Sequence, residues 1–250
     1  MNDGPLHGAI TLIGRHPAAS NAVFLVDVAN ADTTVRALYK PVAGERPLWD
    51  FPGGALARRE VAAHRFASAL GLPVVPETVW REDGPHGPGS LQRWIESAEV
   101  VDVGVFETVE EAWLPVLDAE LQDGTAVVVA HRDRSDLRAV AMLDALMNNA
   151  DRKAGHLLRD AADALWAVDH GVTFHREPKL RTVLWGFAGQ PLADDLVEVL
   201  TLVPAALDAL TGWIPEDEID AVQGRADSLL GRGVFPAPTG EWPSIPWPIY

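Results

Sequence analysis

Two carboxylates and an imidazole lie close together in one part of this chain. Asp151 and His156 fall in Asn149-Ala-Asp-Arg-Lys-Ala-Gly-His156, and Asp169 begins Asp169-His-Gly171 after the apolar run 164–168. Donors in this order around a short hairpin suit a centre that holds magnesium and orients an attacking hydroxyl, the requirements of phosphoryl transfer. Alone, they equally suit a metal-dependent hydrolase, for which His131, Asp133, Asp136, Asp151, His156, Asp169, His170 and His175 offer enough ligands for one or two ions. Upstream residues separate the two chemistries. Lys40 could reach nucleotide phosphates and Glu60 could hold its ammonium, and a hydrolase needs neither. ATP is therefore the expected cofactor, with Asp151 catalytic and Asp169 on magnesium. Arg152 and Lys153 are expected beside the aspartate, on an anionic substrate or the γ-phosphate. A serine hydrolase is disfavoured, because no G-x-S-x-G elbow occurs.

The elements that must position these residues follow from periodicity. Residues 8–13 and 22–28 read as a hairpin around the turn-rich stretch 14–21, and 34–40 reads as a third strand ending at Pro41, which removes a ladder donor. Val61, Ala62, Phe66, Ala69 and Leu70 recur at helical spacing over 56–70, with Gly71 as the C-terminal stop. Two more strands, 74–80 and 90–95, flank the Gly/Pro-rich loop 83–89. Residues 96–125 are acidic and weakly periodic, suiting a linker, an insertion or irregular helix. A helix from Ser135 runs into the 149–156 loop, the strands 155–159 and 164–169 make a hairpin bringing His156 near Asp169, and helices are expected over 192–202, 204–211 and 215–230. The proline-rich tail, with Trp242 and Trp247, is expected to dock as an extended arm or to bind a protein partner. The layout is α+β and two-lobed: a strand-rich N-lobe over 1–95 with one helix, and a mainly helical C-lobe over 96–250.

Composition narrows the class. The absence of cysteine excludes disulfides, zinc–thiolate sites and cysteine nucleophiles. Neither a signal-like N-terminus nor an apolar run of about 20 residues is present, so a cytoplasmic protein without integral membrane association is expected. A net charge of −16 disfavours nonspecific binding to nucleic acid or anionic lipid.

Ala37-Leu-Tyr-Lys-Pro41, Arg59-Glu-Val-Ala-Ala-His64, Asp144-x3-Asn148-Asn-x-Asp151-Arg152 and Val168-Asp-His-Gly171 resemble the phosphatidylinositol 3- and 4-kinase superfamily, particularly its small type II-like actinobacterial branch. The resemblance implies a protein-kinase-like fold and ATP-dependent transfer, with Lys40 on the phosphates, Glu60 as its partner, Asp151 catalytic and Asp169 on metal. It also places the adenine-binding hinge at Ser90-Leu-Gln-Arg-Trp94, making Gln92 and Trp94 candidate base contacts. Two departures stand out. The first-hairpin loop has one glycine, which leaves phosphate covering to Ser20 and Asn21. His156 replaces the metal-binding Asn of H-R-D-x-x-x-x-N, and imidazole suits manganese or a phosphate contact better than magnesium. A nucleotide-binding pseudokinase and an AMP-transferring enzyme use the same residues. Lacking a polybasic segment, the chain is expected to act on a soluble hydroxyl compound such as a small alcohol, a sugar or a protein side chain.

Overall fold

Alternating apolar residues in the first third of the chain build one five-stranded antiparallel sheet. The computed structural model describes residues 4–16, 21–31, 33–48, 51, 56–98, 100–240 and 243–250. Strands β1 (Ala9–Arg15), β2 (Phe24–Ala29), β3 (Thr34–Pro41), β4 (Thr78–Arg81) and β5 (Gly89–Arg93) lie in the order β1-β2-β3-β5-β4. Because strand side chains alternate, the register sorts the residues onto two faces. Val26 opposite Ala37, and Tyr39 opposite Leu91, join Leu6 and Val28 in a small core on one face. Lys40 opposite Ser90, and Leu38 opposite Gln92, therefore lie on the other.

That second face receives helix α1 (Leu56–Ala69), whose buried Val61, Ala62 and Phe66 follow helical spacing. The helix gives way at Gly71, whose φ of 70° is a backbone conformation that glycine adopts without a Cβ clash. Three arginines of α1 reach the helical part of the chain. Arg58 donates to the Gly212 carbonyl, Arg65 to Ala209 O at 3.1 Å, and Arg59 pairs with Glu218 at 2.8 Å.

Residues 96–125, expected as linker or irregular helix, instead contribute to a second sheet of order β6-β8-β7, formed by β6 (Val103–Phe106), β7 (Trp113–Glu120) and β8 (Ala126–Arg132). Only β8 carries a clear inward alternation, through Val127 and Val129, while most of β7 is exposed and its apolar residues do not alternate with polar ones. That exposure is why periodicity did not reveal the sheet.

Helix α2 (Ser135–Met147) is buried on nearly every side and forms the centre of the large core, with Phe66, Phe174, Phe187, Leu200 and Val222 among its members. It ends at Asn148, whose φ of 51° turns the chain into the 149–156 loop. The short strands β9 (Leu157–Arg159) and β10 (Leu165–Ala167) form the expected hairpin. Beyond them come α3 (Asp194–Thr201), α4 (Val203–Ala206) and α5 (Glu216–Arg232), with Pro215 capping α5 ahead of three acidic residues in its first turn. The tail docks on the body: Ser244 O accepts Thr182 N–H at 3.0 Å, and Ile249 O accepts Ala154 N–H at 2.8 Å. Among the described residues no helix is long and apolar enough to cross a membrane.

Candidate active site

Lys40 leaves β3 on the face covered by α1, and there it meets two carboxylates. Its ammonium bonds Glu60 Oε1 and lies 3.2 Å from Asp169 Oδ1. Glu60, 2% exposed at its side chain, uses its other oxygen to accept the His170 N–H at 3.1 Å. Residues separated by 20 and 129 positions thus converge on one charge cluster. Asp169 holds a φ of 61°, sparsely populated for a non-glycine residue, and its side chain is half exposed.

One ammonium between two carboxylates leaves negative charge in excess. Burial alone would lower the Lys40 pKa, but the charges of Asp169 and Glu60 outweigh it and raise the value above its ordinary range. Lys40 in turn holds Asp169 well below the usual carboxylate range. Glu60 moves up instead, because burial and the neighbouring Asp169 charge exceed what Lys40 returns to it.

Asp151 stands at the loop tip, oriented by a relay that begins on α2. Asp144 Oδ1 accepts from Asn149 Nδ2 at 2.9 Å, and Asn149 Oδ1 accepts the Asp151 N–H at 3.0 Å. Burial and the Asp169 charge raise the Asp151 pKa against the opposing charges of Lys153 and Arg181. Lys153 Nζ lies 3.5 Å from Asp151 Oδ2.

Arg152 and His156 sit differently from the sequence reading. Arg152 does not face a substrate: its side chain is 0% exposed. It makes a two-pronged bond to Asp144 at 2.8 and 2.9 Å, donates to Val168 O at 2.7 Å, and lies 2.8 Å from His170 Nε2. It therefore ties the loop to the Asp169 turn from below.

His156 Nε2 lies 3.4 Å from Asp169 Oδ2, and its Nδ1 accepts the Lys153 N–H at 3.4 Å. Burial holds its pKa down to about 4, so the ring is neutral at pH 7, and an accepting Nδ1 assigns the proton to Nε2, facing Asp169. With both nitrogens engaged, the imidazole has no lone pair for a metal. The carboxylate that remains, Asp169, fits magnesium, which takes one or two carboxylates together with phosphate oxygens. Among the described residues no group of three or more acidic or histidine side chains forms a closed cage.

Asn21 spends its side-chain oxygen on the Arg46 N–H at 3.0 Å, while Ser20 lies outside the described residues. Gln92 shares the Lys40 face, buried, and donates to Thr78 Oγ1 at 2.9 Å. Trp94 is half-buried just after β5 and donates its indole N–H to Glu96 at 2.8 Å, outside both hydrophobic cores.

The sequence reading missed Arg181. Its N–H donates to Asn149 O at 2.9 Å and its carbonyl accepts the Arg152 N–H at 3.0 Å, so its backbone brackets Asp151. Its position, 30 residues past Asp151 in an irregular segment, has no spacing signal that would have identified it.

No protein-family model matches the chain. Among solved structures, that of hydra Fam20 with sugar superposes with a TM-score of 0.52 at 12% identity, covering 91% of this chain and 86% of that one. The Helicobacter pylori proinflammatory kinase CtkA gives a TM-score of 0.48 at 11% identity, over 92% and 93% of the two chains. The fold is accordingly of the protein-kinase-like kind. Protein Rv2133c of Mycobacterium tuberculosis (strain ATCC 25618 / H37Rv) is 42% identical over 260 residues, covering 97% of this chain and 93% of that protein, and the chain belongs to the same family as Rv2133c.

Proposed function

We propose that the chain is an ATP-dependent phosphotransferase with a two-lobed organisation dividing near residue 95. Nucleotide would bind between the Lys40 face of the first sheet and the loops carrying Asp151 and Asp169. The observation that carries this reading is the convergence of Lys40, Glu60 and Asp169 from three separate elements beside Asp151. A lysine held by a helix carboxylate is placed to meet phosphate oxygens, and an excess of carboxylate charge beside it suits a nucleotide brought in with a divalent cation. Magnesium, when bound, would be held by Asp169 together with phosphate oxygens and would neutralise charge on the phosphates.

In the proposed step Asp151 accepts the proton of the acceptor hydroxyl while that oxygen bonds the γ-phosphorus. The bond from phosphorus to the β,γ-bridging oxygen breaks, and ADP leaves. Burial suits Asp151 to the task, because a carboxylate whose pKa is raised is a stronger base. A base extending from the phosphates along the sheet would meet Leu38 and Gln92, which share the Lys40 face, with Trp94 beyond. The acceptor is placed among hydroxyl compounds in solution rather than phosphatidylinositol in a bilayer, since a chain of net charge −16 is repelled by an anionic surface.

Thermal-shift titration tests the reading: ATP and ADP with magnesium or manganese should stabilise the wild type, as ligand linkage requires, and much less so Lys40→Ala and Asp169→Ala. Absence of any nucleotide effect on the wild type sinks it. Nucleotide binding without ATP turnover, on any hydroxyl acceptor, would favour a nucleotide-binding regulator; the engaged ring of His156, which removes one candidate metal ligand, is the observation on that side.

A further inference from the structure

Arg181 stands beside the aspartate where the sequence expected Arg152, and among the described residues its guanidinium makes no ion pair. Arg152 and Arg159 both pair with buried carboxylates, Asp144 and Asp102. The half-buried Arg181 differs: its Nε is enclosed without a hydrogen-bond partner, and no ion pair among the described residues uses its guanidinium. This chain has 36 acidic side chains against 20 basic ones, so an arginine that makes no ion pair among the described residues is unexpected. Its backbone is fixed on both sides of Asp151, its charge acts on that carboxylate, and Lys153 lies on the same aspartate.

Fixed cations bracketing a base that must receive a hydroxyl suggest what accompanies the hydroxyl. We propose that Arg181, with Lys153, binds a phosphate or carboxylate group carried by the acceptor, so that the substrate is an anionic alcohol; this rests on the phosphotransferase reading above. A guanidinium grips such a group through two parallel N–H bonds, fixing its orientation, while the lysine adds an adaptable point charge. The two cations also offset the repulsion that Asp151 and Asp169 would otherwise exert on the anion. The competing source of the same chemistry is the γ-phosphate of the nucleotide.

The test uses glycerol 3-phosphate, with glycerol as its uncharged counterpart, titrated by calorimetry into protein loaded with magnesium and the non-hydrolysable ATP analogue AMP-PNP, which fills the γ-phosphate position. Glycerol 3-phosphate should bind the wild type measurably more tightly than glycerol. Arg181→Ala should weaken it by about tenfold, as loss of a charged hydrogen bond implies, with Arg181→Lys intermediate and AMP-PNP and ADP affinities unchanged. Equal binding of the two alcohols, or wild-type binding by Arg181→Ala, overturns the proposal. So does a loss of AMP-PNP affinity without loss of ADP affinity, which would give the arginine to the γ-phosphate. If the wild type binds no nucleotide, the phosphotransferase reading fails separately, and glycerol 3-phosphate titrated into nucleotide-free protein decides the anion site: loss in Arg181→Ala retains it, and no binding removes it.

Discussion

Two sets of charged side chains meet at the 149–153 loop, one beneath it and one above. Beneath, Arg152, Asp144, Asn149 and His170 form a buried network in which the arginine and its aspartate are 0% and 1% exposed. Above, Lys40, Glu60, Asp169, Asp151 and Lys153 form a cluster in which Asp169 is half exposed and the two aspartates are shifted in opposite directions, with Arg181 beside them making no ion pair among the described residues. Arg152 and Lys153 are adjacent in sequence yet belong to different sets. Residue type does not distinguish frame from site; access and leftover bonding capacity do.

The largest change that would break this division is at Asp151. Asp151→Asn should lower kcat by ~10²–10⁴-fold in a transfer assay, the usual size of a general-base contribution. Its melting temperature should hold or rise, because burial raises the Asp151 pKa and a neutral isostere removes that cost. A coupled fall in activity and stability would move Asp151 into the frame.

The frame should respond in the opposite way. Arg152→Met leaves Asp144 buried and unpaired, a class of change that costs ~3–5 kcal/mol. Denaturant unfolding should register that loss whether or not nucleotide is present. A melt close to wild type would mean that Arg152 is not the tie between the loop and the Asp169 turn.

This division also marks how far the sequence could be read. The positions of Lys40, Glu60 and Asp169 were legible because each lies within or just after a patterned element, and that of Asp151 because its loop directly follows helix α2. The second sheet was not, since an exposed strand such as β7 needs no apolar alternation. Nor were the roles of Arg152 and Arg181: a loop has no period from which to read direction, and the pairing of residues 149–152 with 181–183 is a long-range hydrogen-bond pattern without a local signature.

A third, smaller effect concerns pH. His156 is held neutral by burial, with its pKa lowered to about 4, against about 6.5 in an unfolded chain. Protonation therefore favours unfolding, and the neutral ring's contribution is complete above pH 6.5 and lost as pH falls toward 4. The shift corresponds to ~2–3 kcal/mol over that window. His170, buried and lowered in the same direction, adds to the slope, so His156→Gln should flatten the stability profile between pH 6.5 and 4 without levelling it. Loss below pH 4 would then belong to carboxylates held low in the fold, Asp169 most strongly and Asp136 beside its arginines, whose ionised forms are the stabilising ones. An unchanged slope in His156→Gln would mean that the ring is hydrated in solution and is free to serve the site in another way.

The smallest expected stability change sharpens the comparison most. Arg181→Ala removes a guanidinium to which no hydrogen bond or ion pair among the described residues is assigned, so unfolding free energy should stay within ~0.5 kcal/mol of wild type. The two arginines are joined through their backbones, Arg152 N–H donating to Arg181 O, and both carry one positive charge. If truncating Arg152 costs several kcal/mol while truncating Arg181 costs almost nothing, the difference can come only from where each side chain ends: one on a buried carboxylate that folding must neutralise, the other beside Asp151 with its bonding capacity open to a ligand. Comparable losses for the two variants would instead show that Arg181 supports the loop, and the distinction between frame and site would have to be redrawn around Lys153 alone.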